Sequence, residues 1–150
     1  MADRAGATDP SVPVRIVFLG GLGEIGRNCM AIEQGAADDP NRTIMLIDCG
    51  LMFPEANMHG VDLILPDFTY LRENANRIQA LVLTHGHEDH VGAIQYLWRD
   101  HYGFGDLRDD PLPIYGSRLA LGIARNRIEE AGLMPKTDMR SVGDGETIEV

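Results

Sequence analysis

Short apolar runs alternate along the chain with stretches rich in Gly, Asp, Asn and Pro, the rhythm of strands joined by turns and brief helices. Residues 14–19 alternate into an apolar run and predict a first strand. The glycine-rich turn Gly20-Gly21-Leu22-Gly23-Glu24-Ile25-Gly26-Arg27-Asn28 follows, with a second strand over 28–33 and no helix between them. A polar turn at 35–42 leads into a strongly apolar third strand, 43–48, which ends on Asp48. An irregular loop, 51–60, precedes a short strand over 61–68 stopped by Pro66, and a brief helix capped by Thr69 that runs to Asn76. Residues 79–84 form the next strand. A helix over 91–99 puts Val91, Ile94, Leu97 and Trp98 on one core-facing stripe. After a Gly/Asp loop at 102–111, residues 112–115 read as a strand and Gly116 as a turn. Ser117 caps a helix to Ala131, closed by Gly132, whose Arg118, Arg125 and Arg127 give a solvated basic face. A hairpin around Gly143-Asp144-Gly145 is expected to pair 141–142 with 147–150.

One stretch breaks this rhythm with chemistry. Thr84-His85-Gly86-His87-Glu88-Asp89-His90 holds three of the chain's five histidines directly after the apolar run Ala80-Leu81-Val82-Leu83. Imidazole nitrogen and carboxylate oxygen bind a borderline divalent cation at roughly 2.0–2.2 Å. His85 and His87, two apart, point the same way in an extended segment, whereas Asp89 and His90 follow the turn into a helix. One loop thus offers two ligands to each of two metals at the edge of a sheet. Two such ions, about 3.5–4 Å apart, activate a water and stabilise an in-line displacement at phosphorus. The rival readings are a polar surface loop and a single structural zinc, but neither Cys29 nor Cys49 lies near in sequence.

Asp48 ends a buried strand, where a bare carboxylate is costly. Hydrogen bonding to the histidine loop would satisfy it and orient a ligand; the alternative is a turn-capping Asp before Gly50. The pattern Gly21-x-Gly23-x-x-Gly26 lacks the helix that a dinucleotide site needs, and reads instead as a tight loop near an active site. His59, alone in its loop, reads as a surface residue.

The 150 residues suit one domain: a disordered lead-in at 1–13, then 14–150, which stops inside the last predicted strand and so reads as the front of something longer. No apolar run reaches the ~20 residues of a membrane span, and two oddly spaced cysteines, read as core residues, point to a reducing cytoplasm. A net charge of −10 argues against broad nucleic-acid binding by this segment but leaves a metal-assisted nuclease open.

His85-Gly86-His87-Glu88-Asp89-His90, with a strand-end Asp48 upstream, resembles the signature of the metallo-β-lactamase superfamily. Residues 20–28, 48–55 and 60–67 narrow the likeness to the bacterial and archaeal ribonuclease J family. The resemblance implies the N-terminal half of an α/β (α+β) metallo-β-lactamase-like αββα sandwich, with two antiparallel-rich sheets between helix layers. It implies two Zn²⁺, with Mn²⁺ or Mg²⁺ as substitutes, His85 and His87 on one ion and Asp89 and His90 on the other. Further ligands are expected downstream, since the only later histidine is His101. A structural Ca²⁺ held by the backbone of His59 and Val61 is a further implication.

The function implied is metal-dependent hydrolysis of RNA phosphodiesters from a 5′ monophosphate end, 5′ to 3′, with some endonucleolytic cutting, by a homodimer or homotetramer in the cytoplasm. Asp89 and His90 are the catalytic residues, Asp89 also orienting the water, and Asp48 supports them; no substrate-binding residue is assigned. The 150-residue piece alone is expected to be inactive. The alternatives are another hydrolase of this fold, acting on a thioester or lactam, and a non-catalytic interaction module with an incomplete site.

Overall fold

A computed structural model describes residues 11–98, 107, 108 and 110–150. Most of the expected lead-in, Arg99, His101 and most of the 102–111 loop lie outside these residues. Strands β1 (Val14–Gly20), β2 (Cys29–Gln34), β3 (Thr43–Ile47), β4 (Ile78–Leu83), β5 (Leu112–Gly116) and β6 (Thr137–Ser141) stand in that order in one six-stranded sheet. The first three are antiparallel neighbours, joined by short turns, and β3 to β6 run parallel. Among the described residues, then, the sheet is mixed rather than antiparallel-rich. Parallel neighbours need crossovers, and helices supply them: α1 (Thr69–Glu73) precedes β4, α2 (Glu88–Val91) and α3 (Ile94–Leu97) precede β5, and α4 (Arg118–Glu130) precedes β6.

Register explains the core. Ala31, Leu46, Leu81 and Ile114 pair in one row across β2 to β5, and all four are fully buried. Leu71, Val91, Ile94, Leu97, Ala124 and Ile128 of the helices join them in one cluster. The opposite face is also apolar but open: Ile16 pairs with Ile32 and Ile32 with Met45, yet Ile16 is 53% exposed. The described residues therefore make one mixed sheet with its helices.

At the end of the sheet where β2 stops and β3 begins, the buried Glu33 accepts from Arg15 Nε and from the Tyr70 hydroxyl, with Arg42 Nε 3.5 Å away. The Arg15 hydrogen bond, foremost, holds the Glu33 carboxyl below its ordinary range, and burial, aided by Glu33, pushes the Tyr70 hydroxyl up to about 12.

Four expectations are corrected. The strand at 61–68 is a single bridge, Met52 with Ile64, because Pro66 has no donor to extend it. Thr69 is the first residue of α1 rather than its cap: Phe68 holds the N-cap position, Asp67 Oδ1 accepts Thr69 N at 2.9 Å, and the helix ends at Asn74, a 3-10 turn (Ala75–Arg77) following it. The 91–99 helix is two short ones. Asp89 O, which a continuous helix would offer to Ala93, accepts Asn28 N instead; Ala93 N turns to Cys49 O, and His90 O takes Cys49 N. The C-terminal hairpin does not form: residues 137–141 pair with β5, and 147–150 carry no strand. Thr137-Asp138-Met139-Arg140-Ser141 has too little apolar character to announce a strand. Ser117 caps α4 as read, its side chain accepting Ala120 N.

Candidate metal centre

The histidine loop leaves β4, whose neighbours on both sides are the parallel strands β3 and β5. The site is therefore at the C-terminal end of a central strand, not at a sheet edge; that is where α/β sheets concentrate their functional loops. Asp48 follows β3 at the same end, 4% exposed, with φ +60°. Its Oδ1 accepts Thr84 N at 2.8 Å; its Oδ2 lies 2.7 Å from both Thr84 Oγ1 and His90 Nδ1.

These bonds orient the two imidazoles. A carboxylate only accepts, so His90 donates from Nδ1, and Nε2 is the atom that the neutral ring offers as a ligand. Thr84 Oγ1, having given its proton to Asp48, accepts from His85 Nδ1 at 3.0 Å, which frees His85 Nε2 as well. Thr84 is thus a link that the sequence reading passed over; only its place between two buried strand ends reveals it.

The loop brings its ligand-type side chains together. The ring of His85 lies 4.6 Å from that of His87 and 4.0 Å from that of His90. His90 Nε2 stands 3.4 Å from Asp89 Oδ2. Two donors bound tetrahedrally at roughly 2.1 Å are themselves about 3.4 Å apart, so this pair suits a common divalent ion. Among the described residues no three His, Cys, Asp or Glu side chains converge on one ion position. The described residues thus bring one pair of ligand-type atoms, Asp89 Oδ2 and His90 Nε2, to a spacing that a divalent ion would accept. His59 and Val61 lie in a different, exposed loop, where Val61 N donates to Met58 O at 3.3 Å.

Three stretches brace the loop. Asn28 donates from its backbone N to Asp89 O at 2.9 Å and accepts Gly50 N at 2.9 Å. A Cβ on Gly50 would lie 1.6 Å from Asp89 O, so only glycine lets the two backbones touch. Arg127, read from sequence as part of a solvated face, instead donates Nη2 to Glu88 Oε1 and ties α4 to α2; Glu88 raises the guanidinium pKa in return. Within the glycine-rich turn, Glu24 accepts Gly21 N at 3.0 Å and Arg27 Nε at 2.6 Å, closing the loop on itself. Cys29 and Cys49 are free and buried, and the Cys49 thiol is pushed up, chiefly by a hydrogen bond with Cys29 and by burial, which leaves it unreactive at neutral pH.

Comparison with known proteins agrees with this architecture. Ribonuclease J of Synechocystis sp. is 44% identical over 136 residues, 90% of this chain and 19% of that protein. Ribonuclease J of Thermus thermophilus is 42% identical over 142 residues, 94% of this chain and 23% of its own length. The chain therefore spans about a fifth of the curated relatives it matches. In fold it is similar to a solved diphosphatase from the PhnP family, with a TM-score of 0.52 at 22% identity, over 83% of this chain and 40% of that one. The family model described as the metallo-beta-lactamase superfamily matches residues 22–133, taking in most of the glycine-rich turn, Asp48, the histidine loop and α4, and the chain belongs to that superfamily.

Proposed function

We propose that this chain carries the metal-binding loop of a ribonuclease that hydrolyses RNA phosphodiesters, working 5′ to 3′ from a monophosphorylated end with some internal cutting. Membership of the superfamily implies a divalent metal; the N/O donor set of the loop suits two Zn²⁺, with Mn²⁺ or Mg²⁺ as substitutes. His85 and His87 would hold one ion, Asp89 and His90 the other, and a structural Ca²⁺ on the carbonyls of His59 and Val61 belongs to the same reading. Bound divalent ions lower the pKa of water and neutralise charge on the phosphodiester. The chain's own contribution is orientation. Asp48 and Thr84 hold His90 and His85 in the tautomers that offer Nε2, and Asp89 Oδ2 sits where it can take a proton or direct a water. The substrate is RNA with a 5′ monophosphate, the protein a cytoplasmic homodimer or homotetramer.

The observation that carries this reading is the 3.4 Å approach of Asp89 Oδ2 to His90 Nε2, with His90 Nδ1 anchored on Asp48. Support for RNA over a thioester or lactam comes from the ribonuclease J relatives at 42–44% identity. The test uses the full-length protein on 5′-monophosphorylated RNA and on a thioester, with and without a chelator. RNA cleavage that the chelator stops is expected. His87→Ala should lower it beyond the roughly 10–100-fold typical of losing a ligand's outer partner, with unchanged circular dichroism. Activity of that variant within about tenfold of the parent, or thioester turnover without RNA cleavage, sinks the reading.

A further inference from the structure

We infer that Asn28 is a positioning residue of the metal centre, holding the Asp89 carboxylate in place beside His90 Nε2; the inference rests on the metal-dependent reading above. Asn28 Nδ2 lies 3.0 Å from Asp89 O, 3.2 Å from Asp89 Oδ2 and 3.3 Å from His90 Nε2. The two Asp89 oxygens are acceptors and an amide N–H₂ has two hydrogens, one for each, so the nitrogen rather than the oxygen of Asn28 faces them and His90 Nε2 is left as a ligand atom. The amide oxygen points the other way, against Gly21: a Cβ there would stand 2.5 Å from Asn28 Oδ1. The glycine-rich turn thus has a reason beyond its shape. It leaves room for one amide, whose far end holds Asp89.

Orientation is what Asp89 lacks by itself. Its side chain is 38% exposed, so packing alone does not fix it, and it must present Oδ2 rather than rotate toward solvent. Asn28 holds the residue at both levels, the backbone carbonyl through N and Nδ2 and the carboxylate through Nδ2. The backbone bond survives any side-chain change. Asn28→Ala therefore removes the amide while keeping the main-chain link between the two loops.

The experiment uses full-length protein and Zn²⁺ titrated against a chromophoric chelator, alongside thermal melts of the metal-free form and RNA cleavage kinetics. Asn28→Ala should weaken one of the two Zn²⁺ sites about ten- to a hundredfold, the usual consequence of losing a ligand's outer partner. The metal-free melting temperature should stay within a few degrees of the parent, and kcat should fall more than KM. Zn²⁺ affinity within about threefold of the parent overturns the assignment. So does a metal-free melting temperature far below the parent's, since the amide is then fold support. If the parent itself neither binds Zn²⁺ nor cleaves RNA, the functional reading fails and takes this inference with it.

Discussion

Asp48 shows how much one residue can settle. It occupies the left-handed region at φ +60°, which Asp tolerates better than most side chains. There its two carboxylate oxygens satisfy the Thr84 amide, the Thr84 hydroxyl and the His90 imidazole together. Asp48→Asn keeps the size and the backbone conformation but turns one acceptor into a donor. A donor facing His90 Nδ1 moves the imidazole proton to Nε2 and blocks the ligand lone pair. Zn²⁺ affinity of the full-length protein is expected to drop about ten- to a hundredfold, with a smaller effect on folding. A chelator-competition titration checks this, and unchanged affinity would show that Asp48 is merely a turn residue.

Between elements, the decisive event is the break between α2 and α3. The carbonyls of Asp89 and His90, free in principle to continue a helix, are claimed by Asn28 and Cys49. The loop gives up helical regularity and in exchange is stitched to two other segments. At the far end of the same strands the Glu33 cluster ties β1, β2 and the region of α1 together through Arg15, Arg42 and Tyr70. Because the folded-state carboxyl lies below its ordinary value of 4.5, its contribution to stability is present above that pH and is lost as pH falls through the depressed value. Glu33→Gln should therefore flatten the acid limb of the stability curve while lowering stability near neutrality by roughly 1–3 kcal/mol. Urea unfolding at a series of pH values measures it; an acid limb as steep as the parent's refutes it.

For the whole molecule, net charge and the number of converging ligand-type side chains act in the same direction. A net charge of −10 repels a polyanion, and bound cations offset it only at the loop that holds them. Each ion would find a pair of side chains among the described residues, not a full set. The 150-residue chain by itself is expected to bind Zn²⁺ at least about a hundredfold more weakly than the full-length protein and to leave RNA intact. Calorimetric titration and a cleavage assay read both, and robust turnover by the purified piece would contradict it. The open apolar face of β1 to β3, with Ile16 and Phe18 each about half exposed, adds that this surface is suited to contact rather than to water.

Much of this was legible in the residues alone. Strands β1 to β5 and helix α4 announce themselves because their apolar periods and caps are local properties, and the histidine loop does so because ligand types cluster within seven residues. The break in the helix, the parallel pairing of β6, the tie between Arg127 and Glu88 and the place of Asn28 depended on tertiary structure. Each arises where a backbone or side-chain group chooses a partner tens of residues away over its near neighbour. Local pattern determines which groups seek a partner; the packed sheet decides which partner they find.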